Sequence, residues 1–292
     1  MVCHAMNQWC SFAFLTHDLR PRTASVHPQT ESVPMKLNIT AELDYGMEQE
    51  TDILMQIECA ALPDQRILSE TLDTGRTGAA SRIAAEDGVG TRVWLTCHGG
   101  LRVRYTTEIE IDRAAPDLRT LSAEPVHRLP HEAVRYLMAS RYCQSDEFQS
   151  FVNADFGHVA GGAAVHEMAE WIRTRFAYVS GSSGPTTTAI GTFVERRGIC
   201  RDFAHVLIAL ARAKAIPARM VSCYGPDVTP PDFHAVVQVW LDGGWHLVDP
   251  TGMSRPDRVA IIGVGRDAAD IAFLTSYGWV NLQHQAVYVR ET

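Results

Sequence analysis

Three residues have the types and the order that thiol chemistry requires: Cys200, His234 and Asp249. A thiolate nucleophile needs a base to handle its proton, and the base needs a carboxylate to fix its tautomer. Cys200 follows Gly198 and precedes an apolar stripe of Phe203, Leu207 and Leu210, so its thiol falls at the start of a helix. The helix dipole and the unpaired N–H groups there favour negative charge on sulfur. A cysteine without such surroundings is ordinarily a small buried hydrophobe, so the other two residues must carry the argument. Asp242-Gly243 has the composition of a two-residue hairpin turn. With that turn, Leu241 faces Gly244 and Asp249 falls opposite Val236. His234 is then the diagonal cross-strand neighbour of Asp249, at about 7–8 Å between Cα atoms, a gap that the two side chains can close. Taken singly, His234 after Pro230-Pro231-Asp232 suits a surface loop and Asp249 before Pro250 suits a turn. Their ordered conjunction with Cys200 is what points to a nucleophile, a base and an orienting carboxylate.

Other candidates compete less well. Cys200, Asp202 and His205 lie close along one helix, but the further histidine or cysteines of a zinc set are missing, so no metal is expected. Asp202 and His205 are assigned to supporting the site or the helix start. Cys223 falls in a strand and reads as core, and Trp240 and Trp245 flank the hairpin as packing residues. No calcium-loop spacing is present, and no cofactor is called for.

The elements that must position these residues change character along the chain. Residues 1–34 contain Pro21, Pro28 and Pro34 without helical or strand period and read as a poorly ordered extension. From 35 to 112 short runs alternate with period two, as in Leu37-Ile39-Ala41-Leu43, Ile53-Met55-Ile57, Arg92 to Cys97 and Leu101 to Ile111. Turn residues separate them, which predicts an antiparallel β-sandwich. Residues 113–130, with Pro116, Pro125 and Pro130, read as a linker. Beyond it, in 131–292, helical period takes over around Ala133 to Met138, Ala164 to Phe176, Thr188 to Arg197 (closed by Gly198) and from Cys200 to before Pro217. Strands follow at Ala218 to Tyr224, His234 to Leu241 and Trp245 to Asp249. Helices before strands predict an α+β core in which helices pack on an antiparallel sheet.

The whole chain sets wider bounds. Its 292 residues, 46% hydrophobic and 21% charged, suffice for a sizeable core and about two domains. A formal net charge of -8 with no basic run longer than Arg196-Arg197 argues against a nucleic-acid partner. Seven scattered cysteines without disulfide or zinc spacing indicate a reducing compartment. The apolar stretch from Cys10 to Leu15 is too short for a signal core or a membrane span, so a cytoplasmic protein without a membrane partner is expected.

Three segments carry a family resemblance: Gly198-Ile199-Cys200-Arg201-Asp202-Phe203-Ala204-His205, then Asp232-Phe233-His234-Ala235 leading into Val239-Trp240-Leu241, and Trp245-His246-Leu247-Val248-Asp249-Pro250-Thr251. They resemble the bacterial transglutaminase-like family, over roughly residues 130 to 255. Its superfamily also includes animal transglutaminases, arylamine N-acetyltransferases and peptide N-glycanases. The resemblance implies a papain-like core, with the stretch from Met35 to Asp112 similar to the β-rich region that precedes this core in bacterial members. It further implies a Cys-His-Asp triad of Cys200, His234 and Asp249. Tyr142 with Asp146, and Phe176 with Tyr178 and Gly181, resemble the family less specifically. The implied chemistry is a thioester formed on Cys200 from an amide or peptide bond of a peptide, protein or small amide substrate, resolved by water or an amine. The backbone N–H of Cys200 is one expected oxyanion donor, and Tyr178 is the candidate for the second. The open alternatives are a true protein-glutamine transglutaminase and a non-catalytic interaction module on the same fold.

Overall fold

The computed structural model describes residues 34–75 and 80–292; the expected extension, 1–34, lies outside them except for Pro34. The described residues form one compact unit. The alternation read in the first half becomes strands β1 (Met35–Gly46), β2 (Thr51–Met55), β3 (Gln65–Asp73), β4 (Ser81–Ala84), β5 (Thr91–Cys97) and β6 (Gly100–Ile111). Along β1 the buried positions are Leu37, Ile39, Ala41, Leu43 and Tyr45, and along β6 Leu101, Val103, Tyr105, Ile109 and Ile111. These side chains meet Ile53, Met55, Val93, Leu95 and Cys97 of the second sheet in one core, the sandwich that the period-two pattern predicts.

The second half supplies helices α1 (His131–Val134), α2 (Gln149–Phe156) and α3 (Gly161–Arg175), strand β7 (Ala177–Tyr178), helix α4 (Ala189–Glu195), strand β8 (Arg197–Gly198) and helix α5 (Cys200–Ala213). Strands β9 (Ala218–Tyr224), β10 (His234–Leu241), β11 (Gly244–Val248), β12 (Ala260–Gly265), β13 (Leu274–Ser276) and β14 (Asn281–Glu291) complete the chain. The central sheet has the order β11-β10-β9-β12, and its neighbouring strands are antiparallel. Helix α5 packs on it, with Phe203, Leu207 and Leu210 joined by Val206, Ile208 and Ala209 in a core that also takes Met168, Ile172, Val237 and Val239. The architecture is thus α+β, with helices packed on an antiparallel sheet and an antiparallel sandwich beside it.

The division at residues 113–130 and 131–292 requires correction. Strand β14 pairs with β1 along its length, and β13 pairs with β2, so the end of the chain completes both sheets of the amino-terminal sandwich. The sequence of β14 is mostly exposed and lacks a clean alternation, because one partner strand rather than a buried face defines it. Strands β3 and β4 were likewise illegible, since both run at sheet edges with largely exposed side chains. The segment 113–130 is no loose tether. It contains 3-10 turns at Leu118–Thr120 and Val126–Arg128, and Leu118 and Leu121 pack against the helical core. Helix α1 is a single turn, shorter than the expected Ala133 to Met138 run, and α2, which buries Val152 and Phe156, is an element beyond the expected ones.

Arg113 fastens this segment. Its guanidinium is 9% exposed and donates to Asp64, to Gln65 Oε1 (3.2 Å) and to the carbonyls of Pro256 (3.1 Å) and Val259 (2.8 Å). Gln65, itself 1% exposed, accepts from the Ile261 N–H (2.7 Å) and donates to Ala60 O and Ile261 O. The network therefore joins β3 to β12 through buried polar groups that have no water to turn to. Arg113→Met is expected to destabilise the protein by about 2–4 kcal/mol, because the buried acceptors Gln65 Oε1 and Val259 O lose a donor at once and Asp64 loses its ion pair. That corresponds to a fall of roughly 5–15 °C in the melting midpoint. A midpoint within about 2 °C of the wild type, measured by calorimetry, would show that Arg113 is dispensable.

Candidate active site

Cys200 is the first residue of α5, half-buried, with its backbone N–H beyond the reach of intrahelical acceptors. The approach to it is tightly specified. Asp202, fully buried, accepts a hydrogen bond from the Ile199 N–H through Oδ2 (2.9 Å) and one from the Ser183 hydroxyl through Oδ1 (2.8 Å). Arg201 pairs with the same Oδ1 (3.2 Å) and also donates to Ser183 Oγ (2.6 Å) and Gly184 O (2.7 Å). A Cβ at Gly198 would lie 2.7 Å from the Asp202 Cβ, so glycine is needed there for close approach. Gly198 does not close α4 as expected. Arg196 does, in the left-handed conformation at φ 56°, while Gly198 belongs to β8. Asp202 is accordingly the support of the helix start that its position indicated.

His234 opens β10, and Asp249 follows β11. The hairpin forms with Leu241 opposite Gly244 and Val237 opposite Val248, the register inferred from the Asp242-Gly243 turn, where φ is 45° and 78°. His234 Nε2 and Asp249 Oδ2 are 2.8 Å apart. Asp249 is clamped in addition: Oδ1 accepts from the Thr251 N–H (2.8 Å) and hydroxyl (2.6 Å), and Oδ2 from the Ser254 N–H and hydroxyl (both 2.8 Å). Thr251 stands within the segment singled out from the sequence, whereas nothing local marks Ser254.

With Nε2 committed to Asp249, the other ring nitrogen, Nδ1, is buried and has no well-formed hydrogen bond. It is left to the Cys200 thiol, which is near enough to stabilise the imidazolium. Burial alone would lower the His234 pKa, but the hydrogen bonds to Asp249 and Cys200 and their negative charge outweigh it and raise it to about 10. Asp249 moves the other way: burial would raise its pKa, and the contacts with His234, Thr251 and Ser254 bring it below its usual value. Chemically, the arrangement can hold a proton between sulfur and imidazole with the ring fixed in orientation.

Tyr178 is the third group at the thiol. Strand β7 runs parallel to β8, with the Val179 N–H donating to Gly198 O (2.9 Å), which brings Tyr178 beside the turn into α5. Its ring leans on Phe203 at 5.9 Å, and its hydroxyl lies against both the backbone N–H and the thiol of Cys200. Burial, followed by the charge of Cys200, raises its pKa, so the phenol keeps its proton.

His205 is turned away from this constellation. It is fully buried, stacks on Tyr142 at 5.1 Å, and accepts from the Ala268 N–H through Nε2 (3.2 Å). Burial lowers its pKa to about 3. Cys223 is buried opposite His234 in the strand register, and burial pushes its thiol well up. All the cysteines among the described residues are free thiols, and among those residues no cluster of three or more His, Cys, Asp or Glu side chains is arranged to hold a metal ion.

The raised His234 pKa fixes the sign of a pH effect. The unfolded imidazole titrates near 6.5, so the stabilisation from its folded-state partners is fully present below that pH and is lost as pH rises toward about 10. Asp249 contributes in the opposite sense, above its unfolded value of about 3.9, and its share is lost in acid. The difference in melting midpoint between wild type and His234→Gln is therefore expected to be largest at about pH 5–6 and to shrink steadily toward pH 10. An NMR titration placing the His234 imidazole at or below about 6.5 would contradict this assignment.

Residues 152–250 match the core of the transglutaminase-like superfamily, a span that contains all three site residues. A solved structure of a candidate cysteine protease from Cytophaga hutchinsonii superposes with a TM-score of 0.85 at 30% identity, over 89% of this chain and 92% of that one. An uncharacterized protein of Mycobacterium leprae is 34% identical over 119 residues, 37% of this chain and 42% of the relative. The protein-glutamine gamma-glutamyltransferase of Pseudomonas aeruginosa is 36% identical over 90 residues, 26% of this chain and 14% of that protein. The chain thus spans less than half the length of these curated relatives in the regions matched.

Proposed function

We propose, from the premise that this chain belongs to the transglutaminase-like superfamily, that it is a cysteine hydrolase acting on amide or peptide bonds. The fold and the Cytophaga hutchinsonii neighbour support a cysteine-type enzyme. The observation that carries the finer reading is the division of labour on the His234 ring: Nε2 is held by a carboxylate fixed through four other hydrogen bonds, and Nδ1 is left for the thiol at a helix start.

In this mechanism Cys200 Sγ attacks the carbonyl carbon of the amide, and the carbonyl oxygen takes the negative charge. His234 passes its proton to the leaving nitrogen, the C–N bond breaks, and the acyl group remains as a thioester on Cys200. His234 then accepts a proton from water, whose oxygen attacks the thioester. The acid is released, and sulfur recovers its electron pair. The oxyanion sits between the Cys200 N–H and the Tyr178 hydroxyl. The latter occupies that place in the free protein and can turn to donate, because its raised pKa keeps it protonated.

Hydrolysis is favoured over amine transfer on physical grounds. A transferase must shield its thioester from water and hold an amine in line. Cys200 is only half-buried, and the segment 225–232 beside His234 carries Pro226, Pro230 and Pro231, which makes it a stiff border for the acyl donor. With a suitable amide donor, free acid is expected as the main product, and millimolar primary amine should divert only a minority of turnover. Near-complete conversion to the amine adduct, followed by mass spectrometry, would make the protein a transferase instead.

Two sets of variants test the roles. Cys200→Ala should abolish turnover and Asp249→Ala should leave a weaker enzyme, while Cys223→Ala remains active. Retained activity in Cys200→Ala would refute the nucleophile. Tyr178→Phe should lower kcat by about 10²–10³-fold with little change in KM, as expected for loss of one oxyanion donor. A change of less than about threefold would remove Tyr178 from the mechanism.

A further inference from the structure

Asp232 stands two residues before His234 and is exposed, yet its carboxylate is fixed. Oδ1 accepts a hydrogen bond from the Phe233 N–H at 2.8 Å and another from Gln285 Nε2 at 2.6 Å. Gln285 belongs to β14, so the end of the chain reaches back to hold this group beside the site. Phe233, between Asp232 and His234, is anchored as well: it stacks on Phe273 at 4.7 Å with an interplanar angle of 2°, and leans on Tyr224 at 5.4 Å. The backbone carrying both the carboxylate and the imidazole is therefore pinned.

A purely structural role would be met by Oδ1 alone. Oδ2 has no hydrogen bond among the described residues, and no cationic side chain among them pairs with Asp232. Its negative charge acts on the Tyr178 hydroxyl, the group that lies against Cys200. Arg201, adjacent to Cys200 in sequence, cannot offset it, being committed to Asp202, Ser183 and Gly184. Beside the site the chain thus holds a positioned carboxylate with no ion-pair partner among the described residues.

We propose that Asp232 is a specificity-determining residue that selects substrates carrying an ammonium or guanidinium group next to the reacting carbonyl and disfavours acidic ones. This rests on the hydrolase reading above, and the test separates the two. Labelling of Cys200 needs no turnover: rates with cationic, neutral and anionic ethyl methanethiosulfonates of matched reach report the local field, read on the peptide containing Cys200 by mass spectrometry. The cationic-to-neutral ratio is expected to fall about three- to fivefold in Asp232→Asn, the range of an exposed ion pair, and the wild-type preference should weaken with added salt. Glu42→Gln, on the outward side of β1, should leave the ratio unchanged. An unchanged ratio in Asp232→Asn, or an equal fall in Glu42→Gln, overturns the inference. In the second arm, peptide amides with lysine or norleucine beside the scissile bond should show the same fall in their kcat/KM ratio. Absence of any hydrolysis by the wild type, with the labelling result intact, would refute the hydrolase reading and leave the charge selection standing. Hydrolysis with an undiminished lysine preference in Asp232→Asn would do the reverse.

Discussion

A single buried carboxylate organises the site. Asp202 has no solvent contact, so its charge must be answered within the protein, and it is answered by the Ile199 N–H, the Ser183 hydroxyl and Arg201. Each partner belongs to something the site needs: the turn into α5, the loop after Tyr178, and the residue next to the thiol. Burying an ion is unfavourable unless these partners are all present and well aligned. Their alignment therefore leaves little freedom in where Cys200 stands, and the close approach of Asp202 explains why glycine precedes it at position 198.

The second half of the site depends on sheet register. His234 and Asp249 sit at the same end of a tight hairpin, and a slip of one residue would turn one of them to the opposite face. The Asp242-Gly243 turn sets that register at one end, and the clamp of Thr251 and Ser254 on Asp249 holds it at the other. Helix α5 then has to lie against this sheet at the height that brings Cys200 to His234, and a continuous apolar contact from Phe203 to Leu210 against Val237 and Val239 secures it. The sandwich is joined to the same sheet, since Tyr224, Ala260 and Ile262 share its core and Tyr224 donates to Ile57 O at 2.8 Å.

What the sequence by itself determined were the features written in local chemistry. Alternation along β1 and β6, the apolar stripe after Cys200 and the Asp-Gly turn each reflect a periodicity or a backbone preference confined to a few residues. From those alone followed the two kinds of architecture, the place of Cys200 at a helix start and the pairing of His234 with Asp249. Tertiary structure decided whatever depends on residues distant in the chain. Edge strands such as β3, β4 and β14 exist because a partner strand is there, and their side chains, facing solvent, carry little pattern. Arg113 in a proline-bearing segment looks like linker, and only the arrival of Asp64, Gln65 and the carbonyls of Pro256 and Val259 makes it a fastening. Ser254 on Asp249 and Gln285 on Asp232 are likewise contacts of closure, with no spacing rule that would have announced them, and Tyr178 beside Cys200 was nominated only through the family resemblance. Local sequence could nominate the reacting groups because their type and order are chemical requirements. Their surroundings were decided by folding, because a buried or directed charge takes its partners from wherever the chain brings them.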